Sequence, residues 1–595
     1  MTIEINKISI ESNELNIEYK GEETKTDKVI MSYYGQWNGY IGKFPIPSYA
    51  AAKNDIYDKI THLAYGFMGF NENGDIGTWD FGADLGYYPA PQGQQAYSTD
   101  FYNYLDVITK APQSFSKSSN GYTVGSPLNT HKFPTDSIIG NIQEAPQFYR
   151  LAYAKYLKPD LKIIISFGGW EYGNALNDST WPGSPSPAEV FYNITQNTEK
   201  LSKFVNNITD LIKNYKFQMI EFNNEYYPIP YTTPNGNLNS PTVHDEVING
   251  ELADGYKRVG QPFNLFSGVD IDWEYPYGCD QCAKCTGTSI TSKCPGGWKP
   301  NDEELQKSYN GYSNLLSKLK TNLPSPYFVS TTTAGNPSDI TKLVNQSNIV
   351  DSFKKIDRIS IMSYDFMNGN NYITHDSPLY NQKIKTDNGI IEWNTDSAVT
   401  NMLTKIDSNK INIGIPNYGR FQYIKNTTLQ KLGYTDNNSI TKGITDQIFN
   451  GSTEGLYTAC AQSNPSTITC PWVTGKIEIN SINYDITPTT EVGTTALCGG
   501  NCNFNDNSVK SEFTKIDDTN VGVTYYISNN TYTNSDIFNG EESRIILSMP
   551  SEYSIQEKTN YIKKKNLGGT ITWMIGNDTS FTLAGYVYGG LKTPT

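Results

Sequence analysis

Phe266-Ser267-Gly268-Val269-Asp270-Ile271-Asp272-Trp273-Glu274-Tyr275-Pro276 is the stretch on which the reading of this chain turns. Asp270, Asp272 and Glu274 recur at every second residue. On a β-strand that spacing sends all three carboxyls to one face and Val269, Ile271 and Trp273 to the other. The apolar face suits packing against helices. The acidic face is costly, because neighbouring carboxylates repel and resist burial. A solvated acidic edge strand is the plain alternative, and the dense apolar flanks argue against it. The strip makes sense where a carboxyl must keep its proton near neutral pH and act as an acid, a state that an adjacent carboxylate favours.

Outward from this strand, further short apolar or β-branched runs alternate with longer helical or loop segments, which predicts a parallel α/β architecture. The expected strands are Val29–Tyr34, Ile60–Phe67, Leu161–Phe167, Phe266–Glu274, Tyr327–Thr332, Arg358–Tyr364, Ile411–Ile415 and Gly569–Met574. Eight such runs are what a (β/α)8 TIM barrel requires, with its site at the C-terminal strand ends. The helix before the last strand is expected to start at a Ser554/Glu557 capping box. Lys563 to Lys565 suit its C-terminal end, and Gly568 stops it. The spacing is uneven, so the expected barrel, 29–420 and 546–595, carries long loop insertions at 71–160 and 223–262. Residues 1–28 form an N-terminal extension. Residues 421–545, with strand-like pieces at Lys476–Ile482 and Val521–Ile527, are expected to form an α+β insertion domain between strands seven and eight.

The acidic strand resembles the Asp-x-x-Asp-x-Asp-x-Glu signature of family 18 glycoside hydrolases, the chitinases. The first acid of that signature is missing from Phe266-Ser267-Gly268, while the three that carry the chemistry are intact. Four more motifs follow in the family's order. Ser166-Phe167-Gly168-Gly169-Trp170 is similar to its Ser-x-Gly-Gly turn, and Met362-Ser363-Tyr364-Asp365 to its Met-x-Tyr-Asp motif. Gly414-Ile415-Pro416-Asn417-Tyr418-Gly419-Arg420 is similar to its strand-seven motif, with Asn417 where an aromatic is commoner. Gly568-Gly569-Thr570-Ile571-Thr572-Trp573 is similar to the end of strand eight. The local wording is also similar to chitinases associated with bacterial insecticidal toxin complexes.

The resemblance implies a retaining reaction in which the substrate's own 2-acetamido oxygen attacks the anomeric carbon. It implies Glu274 as general acid and base, and Asp272 as the group that orients the acetamide. Asp270 would share a proton with Asp272, and Tyr364 would bond to the acetamide. Trp573 would floor the reacting sugar. Asp365, Met362, Trp170, Tyr33, Phe67, Gly169 and Arg420 would line the substrate cleft. No metal or organic cofactor is implied, and His62, His131, His244 and His375 are too scattered to suggest a metal cluster. The expected substrate is chitin or its oligosaccharides. The competing readings are an endo-β-N-acetylglucosaminidase acting on glycoprotein glycans, and a glycan-binding component of a toxin assembly with partner subunits. The terminal acid Glu274 is present, which favours catalysis over binding alone.

Composition narrows the classes further. A formal charge of −14 argues against nucleic acid and anionic membranes, both of which call for a basic patch. No stretch reaches the roughly 18 apolar residues of a spanning helix. Met1 to Lys28 is polar, with no apolar core of a leader, so secretion is expected either by another route or after leader removal. The 43 tyrosines and 9 tryptophans suit stacking on sugar rings, though the core accounts for most of them. The eight cysteines fall into Cys279, Cys282, Cys285, Cys294 and Cys460, Cys470, Cys498, Cys502. Two local disulfides in each group are expected, with a zinc site the alternative for the first.

Overall fold

The computed structural model describes residues 26–35, 56–78, 147–170, 186–222, 225–232, 257–278, 299–367, 374–386, 389–427, 474–480, 485–488, 513–529, 531, 542–578 and 581–592, together with four short strand pieces near 10–15 and 115–124. All eight cysteines and most of the 1–28 extension lie outside these residues, as does the middle of the 71–160 insertion.

Eight parallel strands close on themselves: β1 Val29–Gly35, β2 His62–Phe70, β3 Lys162–Gly168, β4 Gly268–Asp272, β5 Phe328–Ala334, β6 Arg358–Met362, β7 Ile411–Pro416 and β8 Gly569–Trp573. Each pairs with its neighbour in sequence, and β8 pairs with β1 to complete the barrel. The period-two pattern of β4 explains its place. Val269, Ile271 and Trp273 enter the apolar layer between strands and helices. Trp273 stacks on Phe191 with ring centroids 5.2 Å apart and meets Tyr312 edge-on at 5.6 Å. Asp270 and Asp272 turn the other way, into the barrel interior, where Tyr33, Ala64, Ile164, Tyr364 and Ile571 pack. The strand is shorter than expected. It ends at Asp272, and a turn closed by Gly278 N–H on the Tyr275 carbonyl leaves Glu274 on the rim.

The outer layer comprises α1 Gln147–Leu157, α2 Pro187–Thr195, α3 Thr198–Asn214, α4 Asp302–Asn322, α5 Pro337–Val344, α6 Ser347–Lys355, α7 Thr395–Leu403, α8 Glu552–Lys564 and α9 Thr582–Leu591. In α3, Leu201, Phe204, Val205, Ile208, Leu211 and Ile212 recur at helical spacing and are buried. The Asn197 side chain caps its first turn. The α8 start differs from the sequence expectation. Ser551 is the N-cap and Ser554 answers it, each side-chain oxygen accepting from the other's backbone N–H, one turn before Glu557. The stop also differs: Asn566, at φ 51°, takes the left-handed position two residues before Gly568.

The 71–160 insertion is not irregular throughout, since its end is α1. Likewise 223–262 contributes strands Glu225–Thr232 and Lys257–Asn264, which flank Lys216–Phe222 in a three-stranded antiparallel sheet. Between β7 and β8 the chain forms a six-stranded antiparallel sheet ordered Asp485–Pro488, Thr474–Asn480, Tyr418–Lys425, Ser543–Ser548, Val523–Ser528 and Phe513–Asp518. Its strand Tyr418–Lys425 leaves directly from β7, and Ser543–Ser548 leads back into α8. The loop after β6 is held between sheet and barrel, with Leu379 and Tyr380 N–H groups both donating to the Val521 carbonyl. Among the described residues no helix is long and apolar enough to cross a membrane.

Candidate active site

The register of the barrel builds the site. Asp270 lies level with Ser166 on β3 and Ser330 on β5. Ser330 Oγ donates to Asp270 Oδ1 at 2.5 Å, and Ser166 Oγ donates to Oδ2 at 3.1 Å. The Tyr33 hydroxyl of β1 donates to the same Oδ2 at 2.7 Å. Two residues further on, Thr332 Oγ1 donates to Asp272 Oδ1. Both aspartates are buried, and Glu274 is half-buried above them.

Burial raises Asp270 above the usual carboxylate range, against the pull of its three hydroxyl donors. Asp272 is raised much further, first by burial, then by the charge of Glu274, then by that of Asp270. Asp272 therefore holds its proton where an ordinary aspartate would be ionised, and its titration belongs to the group rather than to one residue. Hydroxyls bond to both Asp270 oxygens, and Asp272 feels the charge of Asp270 beside it. The Tyr275 hydroxyl is hydrogen-bonded to Glu274.

Several of the residues expected to line a cleft lie next to this strip. Trp573, half-buried at the end of β8, lies 5.4 Å from the Tyr33 ring and 5.9 Å from Phe67, stacked on the latter at 23°. Met362 and Tyr364 belong to the same cluster. Burial, then the nearby carboxylates with Asp272 foremost, keep the Tyr364 phenol protonated and able to donate. Trp170 reaches Tyr275 at 6.1 Å. The Gly168-Gly169 turn has a steric cause. Gly168 has φ 116°, and a Cβ there would sit 2.0 Å from the Asp272 carbonyl oxygen. Gly169 has φ 84°, its Cβ position lies 2.6 Å from the Phe67 ring, and its N–H donates to Asp272 O at 2.8 Å. The two glycines thus let the β3 turn lie directly against β4.

Asp365 and Arg420 form a separate group beside the strip. Arg420 Nε and Nη2 donate to Asp365 Oδ1 at 2.8 and 2.6 Å, and the Tyr418 hydroxyl donates to the same oxygen. Sequence reading missed Ser330, Thr332, Tyr275, Tyr418 and Asp376. Only the hydroxyl run Ser330-Thr331-Thr332-Thr333 carried a signal, since alternate members of it must face the barrel interior if β5 pairs with β4.

Two buried acids, a rim glutamate and the rings of Tyr33, Phe67 and Trp573 meet at the C-terminal mouth of a parallel barrel, where the catalytic groups of such barrels sit. A family model described as "Glycosyl hydrolases family 18" matches residues 29–578. The chain belongs to that family. It is 24% identical over 359 residues to Chitinase 1 of Yersinia entomophaga, covering 60% of this chain and 53% of that protein. It is 23% identical over 580 residues to Chitinase A1 of Niallia circulans, covering 95% and 58%. The chain thus spans little more than half the length of these curated relatives. The catalytic domain of a psychrophilic chitinase B from Arthrobacter TAD20 shares the fold, with a TM-score of 0.50 and 17% identity over 96% of this chain and 97% of that one.

Trp573→Ala separates a catalytic floor from a core tryptophan. As a floor, its loss should lower kcat by roughly 10²-fold, because it disturbs the reacting geometry. As core, its loss would instead cost roughly 3–5 kcal/mol of stability. Initial rates beside a thermal melt are expected to show the first, since the ring is partly exposed.

Proposed function

We propose that this chain is a glycoside hydrolase that cuts β-1,4-linked N-acetylglucosamine polymers with retention of configuration, using the substrate's acetamide as nucleophile. The observation that carries the reading is Asp272, buried and kept protonated between Asp270 and Glu274 beside the aromatic floor of Trp573, Phe67 and Tyr33. In the first step the acetamide oxygen attacks the anomeric carbon. The glycosidic bond breaks, its electron pair goes to the leaving oxygen, and that oxygen takes the proton of Glu274. Asp272 passes its proton to Asp270 as it accepts a hydrogen bond from the acetamide N–H, and the resulting carboxylate steadies the positive charge of the oxazolinium ring. Asp270, fixed by three hydroxyls, holds Asp272 in a charged surrounding that favours its proton. Tyr364 donates to the acetamide and keeps it in line. In the second step Glu274 takes a proton from water, the water oxygen bonds to the anomeric carbon, and the ring opens.

We read 29–420 with 546–595 as the catalytic barrel and the 421–545 region as an inserted wall of the cleft. The six-stranded sheet between β7 and β8 supports this. A wall there deepens the cleft for a long chain, which favours chitin over a glycoprotein glycan. A polymeric external substrate in turn favours a secreted enzyme. The test is product analysis on chito-oligosaccharides and on an N-glycosylated protein side by side. Short N-acetylglucosamine oligomers are expected from the first. Glycan release from the second without cleavage of the first would replace the proposed substrate.

A further inference from the structure

We propose that Asp376, which no motif marks, is a positioning residue for this reaction. Acting through Arg420, it sets how firmly Asp365, and with it the adjoining Tyr364, is held at the barrel mouth. The inference rests on the reading of the site given above. Asp365 is a non-glycine residue at φ 63°, a backbone state that persists only when surrounding contacts impose it. The contacts that impose it come from Arg420 and Tyr418. Arg420 has a second carboxylate behind it: its Nε, which donates to Asp365, also lies 3.3 Å from Asp376 Oδ1. Asp365 is 40% exposed at the cleft, whereas Asp376 is 2% exposed at the seam between barrel and inserted sheet.

The titratable groups facing Asp376 come from three elements. They are Asp365 after β6, Arg420 and Tyr418 on the first inserted strand, and Lys558 on α8, with His375 as its chain neighbour. Its own backbone N–H donates to Ser548 Oγ at 3.0 Å. Lys558 is buried and donates to the Gly414 carbonyl at 2.9 Å and to Ser377 Oγ. Ser377 in turn donates to the Ser363 carbonyl, one residue before Tyr364. Two charged side chains from behind the site therefore bear on the two residues of the Tyr364-Asp365 corner.

Burial, then the charge of Asp365, push Asp376 up to about 7, with Arg420 and Lys558 opposing. Burial brings Lys558 down to about 7. The sign follows. Below that range Asp376 is a neutral acid and the Arg420 charge is paired with Asp365. Above it Asp376 is ionised, competes for the guanidinium and loosens the Asp365 corner.

The experiment is the pH dependence of KM and kcat on chitotetraose for the wild type, Asp376→Asn and Lys558→Met. The wild-type KM should rise between pH 6 and 8 by roughly threefold to tenfold, the range that a weakened charge-assisted hydrogen bond produces. Asp376→Asn, which imitates the neutral acid, should keep the low KM throughout. Lys558→Met removes a cation that favours the carboxylate, so the rise should move to higher pH. That shift decides the question independently of whether Asp376→Asn folds. A wild-type KM flat across this range, or variants that follow the wild-type rise unchanged, would overturn the role given to Asp376. Absence of wild-type cleavage at any pH would instead overturn the functional reading, and this inference with it.

Discussion

Glu274→Gln is expected to abolish turnover while leaving the barrel folded and able to bind an oligosaccharide. Glutamine keeps the size of the side chain but can neither deliver a proton to the leaving oxygen nor take one from water. One general acid accounts for roughly 10²–10⁴-fold in rate, and more where departure of the leaving group depends on it. Glu274 is half-buried on the rim beyond β4, outside the apolar layer that Trp273 helps to fill, so its replacement removes little packing. Initial rates on chitotetraose, with a melt and a binding isotherm, check this. A variant within tenfold of the wild-type rate would remove Glu274 from its role.

The second large effect concerns the substrate. If the acetamide is the nucleophile, an oligosaccharide without it should not be cut, however well it fits the aromatic floor. Intramolecular attack by a well-placed group has an effective molarity of roughly 10⁵–10⁸ M, so its loss should take the rate below detection. The residues of the strip offer no ready replacement. Asp272, the carboxyl nearest to Glu274 in sequence, is buried and raised well above the usual carboxylate range, and Asp270 is held by three hydroxyl donors. Cellotetraose is therefore expected to remain intact under conditions in which chitotetraose is consumed. Steady release of glucose oligomers would point to a protein nucleophile instead.

The barrel was legible because its signals are local. A parallel strand buried on both faces reads as an apolar run, and an acidic strip at period two announces itself within a single strand. The surroundings of that strip were not legible, because they depend on register. Ser166, Ser330 and Tyr33 reach Asp270 from three other strands, and which residue stands level with it follows from closure of the sheet. The α8 boundary slipped by one turn because Ser551-x-x-Ser554 and Ser554-x-x-Glu557 are overlapping candidates, and the hydroxyl contact that fixes Ser551, from Thr524, comes from a distant strand. Asp376 gave no sign in sequence because its partners, Arg420 and Lys558, are 44 and 182 residues away along the chain.

The anomeric form of the first product tests the proposed roles of the acetamide, Asp272 and Glu274 most directly. Chitotetraose hydrolysed in an NMR tube and followed in the first minutes should release new reducing ends as the β-anomer, which then drifts towards the equilibrium mixture. That outcome is what two successive displacements at one carbon produce, the first by the acetamide and the second by water activated at Glu274. First release of the α-anomer would mean a single displacement by water, and would contradict the roles assigned to the acetamide, Asp272 and Glu274 together.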